Sequence, residues 1–192
     1  ECDTLQMQWN TIHPPVKQIY SLTDRFGYLR LYTRKEVLNE ICLPSFIGRR
    51  QRHKVFLAKT AMEFTPANEN EEAGIALVQD DHYLMVLVQK DGKPFLQAYQ
   101  TENGTKSLLA ETEIKDVKRL YLSVQGNTTD YDFYYGYTDQ EMLPLARGLD
   151  ASLLSSVVNN GFTGTYIGMY TSSNHQPSTN YADFDWFNYQ GE

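Results

Sequence analysis

The carboxylates of this chain are the first place to look for chemistry. Asp183 and Asp185 stand one residue apart in Ala182-Asp183-Phe184-Asp185-Trp186-Phe187, a strand-forming run whose alternation puts both on one face with Phe187. Carboxylates beside aromatic rings are costly to bury without partners. A Ca²⁺ ion would meet that cost, since it takes oxygen ligands from Asp, Glu and backbone carbonyls; an edge position with both groups in water is the alternative. Glu69-Asn70-Glu71-Glu72 follows Pro66 and reads as a solvated acidic turn. Asp80 and Asp81 read as hairpin-turn residues, where Asp is favoured for local hydrogen bonding. Hydrolysis of a glycosidic bond needs two carboxyl groups about 5–9 Å apart, and turn carboxylates of this kind do not single out such a pair.

The basic residues are concentrated in one string, Arg49-Arg50-Gln51-Arg52-His53-Lys54. It could bind an anion at His53, or its long side chains could make polar contacts at a strand start or a domain interface. His13, His53, His82 and His175 have no metal-pair spacing, and neither a nucleophile elbow nor a phosphate-binding glycine loop occurs. Trp9, Trp186, Tyr134, Tyr166 and Tyr170 could stack on sugar rings if exposed, although core packing accounts for each as readily. Asn103 and Asn127 open Asn-x-Thr sequons that coincide with turns. Cys2 and Cys42 allow one disulfide, but two cysteines make no framework, and two ordinary thiols are the plainer reading.

The elements that must position these groups are strands. Fourteen tyrosines and scattered Gly and Pro favour β structure. Phe56, Ala58, Thr60, Met62 and Phe64 alternate on one face. Residues 83–88 are apolar throughout, as in a strand covered on both sides. Asp91-Gly92, Asn103-Gly104 and Gly126-Asn127 are turn signals. Tyr131, Phe133, Tyr135 and Tyr137 line one face of a further strand, and a short helix capped by Asp150 fits residues 150–155. About a dozen strands without a βαβ rhythm point to two packed antiparallel sheets in one domain, residues 1–192. The net charge of −7 argues against a nucleic-acid partner, and no run approaches the ~20 apolar residues of a membrane span. The opening Glu1-Cys2-Asp3, without Met, is expected of a processed or excised piece.

Several segments converge on a family. Trp9-Asn10-Thr11-Ile12, Ser21-Leu22-Thr23-Asp24-Arg25-Phe26-Gly27-Tyr28-Leu29-Arg30-Leu31 and Pro44-Ser45-Phe46-Ile47-Gly48-Arg49-Arg50-Gln51-Arg52-His53 occur in order. They are followed by Asn68-Glu69-Asn70-Glu71-Glu72-Ala73-Gly74-Ile75, Phe162-Thr163-Gly164-Thr165-Tyr166-Ile167-Gly168-Met169 and the Asp183-Asp185 run. Together they resemble the C-terminal β-sandwich of family 43 glycoside hydrolases, which are β-xylosidases and α-L-arabinofuranosidases. The resemblance implies a concanavalin-A-like jelly-roll sandwich. It also implies a preceding five-bladed propeller that carries the catalytic carboxylates, so this chain would not be an enzyme alone although its parent would be a glycosidase. The implied role is that of a non-catalytic accessory domain in xylan and other hemicellulose breakdown. It would pack on the propeller and help shape a pocket for xylo- or arabino-oligosaccharides.

The same resemblance places a pocket-closing aromatic at Phe162 or Tyr166, and a structural calcium at Asp185 with Asp183 second. The density of charge in an otherwise acidic chain makes Arg49, Arg50 and His53 the expected domain interface. An autonomous, lectin-like carbohydrate-binding module is the other reading, and a homo-oligomer is open. The family's habit suggests a bacterial periplasmic, secreted or cytoplasmic setting. Residues 172–178 form a polar loop that departs from the family text and leaves the sugar open.

Overall fold

Alternating residues form strands where one face can be buried. The computed structural model describes residues 4–13, 17–38, 40, 43–115, 117–159 and 164–192. Among these, the strands are β1 (Tyr20–Ser21), β2 (Leu29–Tyr32), β3 (Ser45–Arg50), β4 (Val55–Glu63), β5 (Glu72–Gln79), β6 (His82–Asp91) and β7 (Lys93–Glu102). They continue with β8 (Thr105–Glu113), β9 (Arg119–Asn127), β10 (Asp130–Gly136) and β11 (Leu143–Asp150). A 3-10 turn (Ala151–Leu154) and one helical turn, α1 (Ser156–Asn159), precede β12 (Tyr166–Ser172) and β13 (Tyr181–Gly191). A seven-stranded sheet runs β1-β2-β13-β4-β9-β10-β11 and a six-stranded sheet runs β3-β12-β5-β6-β7-β8, all pairs antiparallel.

The core lies between the sheets. Phe56, Ala58, Met62 and Phe64 of the alternating run face Ile75, Leu77, Leu84 and Ile167 across it. The uniformly apolar strands are explained by a second cluster on the other side of the six-stranded sheet. There Phe46, Val78, Tyr83, Met85, Leu87 and Tyr170 pack against Leu38 and Ile12, and the Tyr83 hydroxyl donates to the Leu38 carbonyl at 2.8 Å. Two faces buried, rather than one, remove the need for polar residues at alternate positions.

The turns at Asp91-Gly92 and Asn103-Gly104 form as expected, with positive φ at Gly92, Asn103 and Gly104. The turn expected at Gly126-Asn127 moves to Thr128 and Thr129, because Gly126 stays in β9 under the Phe56 ring, 2.1 Å from where a Cβ would be. The expected helix at 150–155 is the shorter 3-10 turn, still capped by Asp150, whose side chain accepts from the Ser152 N–H. The acidic turn is solvated only in its first half, where Glu69 is exposed. Glu71 and Glu72 are 2% and 1% exposed. Glu71 accepts from the Ala67 N–H and the Ser178 hydroxyl, each at 2.7 Å, and from Asn180 Nδ2 at 2.6 Å. Glu72 accepts from Gln89 Nε2 and pairs with Lys106 Nζ at 3.3 Å. The polar loop before β13 thus supplies the donors that make burial of Glu71 tolerable.

Candidate functional site

The register of β12 on β3 sets Tyr166 opposite Arg50 and Ile167 opposite Arg49, at one end of the six-stranded sheet. Two motifs over a hundred residues apart in sequence therefore meet at one end of the sandwich, with Arg50 beside Tyr166 on the outer face of the sheet and Arg49 beside Ile167 on the face turned toward β13. The Arg50 guanidinium lies 6.0 Å from the Tyr166 ring centre. Gly164, with φ +69°, lies against Arg50, whose Nε would be 3.3 Å from an added Cβ. The Arg49 guanidinium stacks 4.3 Å above the Tyr189 ring. The Tyr189 hydroxyl accepts from the backbone N–H groups of Arg52 (3.1 Å) and His53 (3.2 Å), so the basic turn is folded around one phenol. His53 also tilts against the Tyr189 ring.

A buried polar latch holds this end together. The Thr165 hydroxyl donates to the Leu154 carbonyl at 2.8 Å and lies 3.3 Å from Gln79 Oε1, while Gln79 Nε2 reaches Ser156 Oγ. The Thr165 carbonyl accepts from the Gln51 N–H at 2.9 Å, and Gln51 Oε1 accepts from the Tyr131 hydroxyl at 2.9 Å. Burial raises the pKa of Tyr131, which keeps that hydroxyl a donor. Beside the latch, Val157 is 89% exposed and Val158 is exposed too. A shallow cleft of about 270 Å³ runs between Arg52, His53 and Ser156, and a hollow of about 520 Å³ is lined by Tyr166, Phe46, Tyr83, Asp80 and Glu40. Phe162, Cys2 and Cys42 lie outside the described residues.

Asp183 and Asp185 sit elsewhere, at the start of β13. A β-bulge between Phe184 and Trp186 breaks the alternation. Phe187 packs toward the core edge-on to Trp9, while Asp183 meets arginines, so the expected shared face is not formed. Asp183 Oδ1 accepts from Arg30 Nε at 2.8 Å, and Oδ2 accepts from Arg30 Nη2 and Arg25 Nη1 at 2.9 Å. Glu63 takes Arg25, Arg119 and Lys118, and Asp185 takes Arg119 at 2.9 Å. Tyr28 lies under the Arg25 guanidinium at 3.4 Å. Arg25 foremost, with Arg119 and Lys118, holds the Glu63 carboxyl down to about 2 despite its burial.

Guanidinium groups thus occupy both oxygens of Asp183 and Oδ2 of Asp185. Among the described residues no group of three or more His, Cys, Asp or Glu is arranged to hold a metal. Among the described residues, the Asp183 and Asp185 arrangement does not by itself fit Ca²⁺. Sequence reasoning missed Arg25, Arg30 and Arg119, whose pairings are long-range and leave no local pattern.

Of the other aromatic candidates, Tyr170 is buried and Trp186 packs against Tyr121 at 6.2 Å. Trp9, Phe26, Tyr28, Trp186 and Phe187 line an open cleft of about 590 Å³.

A family model described as the β-xylosidase C-terminal concanavalin A-like domain matches residues 1–190. A non-reducing end α-L-arabinofuranosidase of Bacteroides ovatus is 34% identical over 98% of this chain and 36% of its own length. A β-xylosidase of Bacillus subtilis is 29% identical over 99% of this chain and 37% of its own. The crystal structure of a GH43 protein from Bacillus licheniformis matches with a TM-score of 0.93 at 28% identity, covering 99% of this chain and 38% of that one. The chain spans about a third of the length of the curated relatives it matches.

Proposed function

The chain belongs to the family of β-xylosidase C-terminal concanavalin A-like domains, and from that premise we propose that it is the non-catalytic accessory domain of a longer xylosidase- or arabinosidase-type glycosidase. In this reading the end of the six-stranded sheet packs on the catalytic propeller. An aromatic residue of the β12 approach, Tyr166 or Phe162, then helps close the pocket around a xylo- or arabino-oligosaccharide. The observation that carries the reading is the pairing of Tyr166 with Arg50, which brings the expected pocket residue beside one of the expected interface residues, with Arg49 and His53 on Tyr189 at the same end of the sandwich.

Kinetics of the full-length protein test this. Tyr166→Ala and Phe162→Ala should raise KM for oligosaccharides, and at least one should lower kcat/KM roughly tenfold by removing contact that orders the substrate. Unchanged kinetics in both variants would end the proposal. Calorimetric titration of this chain alone with xylo- and arabino-oligosaccharides should give no saturable heat. Saturable heat would favour an autonomous binding module instead.

A further inference from the structure

Arg49 is held without an acceptor. Its guanidinium is stacked on Tyr189, its Nε is buried without a hydrogen-bond partner, and no carboxylate among the described residues pairs with it. Arg25, Arg30, Arg34, Arg119 and Arg147 each pair with a carboxylate. Arg52 and Lys54, beside Arg49 in the basic turn, make no ion pair with a described residue either. This is not for want of acids, since the chain carries 24 Asp and Glu against 17 Lys and Arg. Among the described residues no carboxylate pairs with Arg49, Arg52 or Lys54, although Glu192 bonds the neighbouring Val55 carbonyl through its N–H, and stacking on Tyr189 fixes the arginine in place. A guanidinium held in place, with its donors partly desolvated, gains most from a planar bidentate acceptor.

We infer that a carboxylate of the adjoining domain completes Arg49, so that the partner face is acidic and carries an apolar socket for Val157 and Val158. The inference rests on the docking reading above and gives its partner a chemistry. Arg52 and Lys54 lie at the rim, where charges steer association more than they strengthen it. Arg49 lies at the centre and is the anchor.

The test uses Arg49→Met, which keeps an apolar stem on Tyr189 and removes the charge. In the full-length protein the variant should melt several degrees lower and lose roughly tenfold or more in kcat/KM, as expected when one partner of a buried charge pair is removed. In this chain alone, the same substitution should leave the melting midpoint unchanged or raise it, since it deletes a buried donor with no acceptor. An equal loss in both contexts would mean that Arg49 only supports the sandwich, and would overturn the inference, as would no change in the full-length protein. Inorganic sulfate that stabilises the full-length wild type but not Arg49→Met would also overturn it, by assigning the site to a free anion. Val157→Asp separates this failure from failure of the docking reading. If Val157→Asp damages the full-length protein and Arg49→Met does not, docking stands without the carboxylate; if neither does, docking itself fails.

Discussion

Strand β13 carries two arginine–tyrosine constructions, one at each end. At its start, Asp183 and Asp185 gather Arg25, Arg30 and Arg119 around Tyr28, with Glu63 as a third carboxylate. Near its finish, Tyr189 gathers Arg49 and the basic turn, and no carboxylate among the described residues pairs with Arg49. The first pairs every one of its carboxylates with a cation and ties the loop after β1 to β4, β9 and β13. The second leaves Arg49, Arg52 and Lys54 without an ion pair among the described residues. The same side chains act as a staple or as a receptor according to whether the chain supplies the counter-charge itself. Arg–Tyr stacking alone would not distinguish the two regions.

The contrast is broken most forcefully at Asp183. Asp183→Ala leaves Arg30 and one arm of Arg25 partly buried without their acceptor, which should cost about 3–5 kcal/mol. For a chain of this size that lowers the melting midpoint by roughly 10 °C. A cost below about 1 kcal/mol would show that water replaces the carboxylate and that the cluster is not a staple.

The next effect is acid loss through Glu63. Its folded pKa of about 2 lies below the ordinary 4.5, so the folded state favours the charged form. The stabilisation is fully present above about pH 4.5 and is lost as pH falls toward 2. Allowing for water at the Lys118 side, it amounts to about 2 kcal/mol. Urea midpoints for wild type and Glu63→Gln should therefore differ at pH 7 and converge near pH 2. A constant difference across that range would remove Glu63 from the titration.

The two regions were unequally legible in sequence. The strands were readable because apolar alternation such as Phe56, Ala58, Thr60, Met62 and Phe64 is a local consequence of one buried face. Tyr166 and the 49–53 string could be named from sequence, but their adjacency depends on strand register, which no local pattern states. The staple was misread for two reasons. The bulge at Asp185 shifts the period by one residue, and the arginines that neutralise Asp183 lie 153 and 158 residues away. The same blindness to distant donors made Glu71 look solvated, since Ser178 and Asn180 reach it from 107 and 109 residues away.

A smaller effect tests what holds the open region in shape. Thr165→Val removes the hydroxyl that bonds the Leu154 carbonyl and Gln79, leaving both without that donor. The expected cost in this chain is about 1 kcal/mol, with Thr165→Ser restoring most of it. If the valine variant is as stable as wild type, the latch is not what fixes the basic end.

The smallest expected effect is none, and it bears on the staple directly. Calcium would compete with guanidinium groups for both Asp183 oxygens and for Oδ2 of Asp185. To bind there it would have to displace Arg30 from a two-point contact and Arg25 from Oδ2. Each displaced guanidinium would remain close to the incoming cation, a like-charge juxtaposition that weakens the metal further. Millimolar calcium and excess chelator should therefore give the same melting midpoint for this chain. A rise with calcium that disappears in Asp185→Ala would show that the arginines yield, and the paired region would then be a metal site that arginines merely guard.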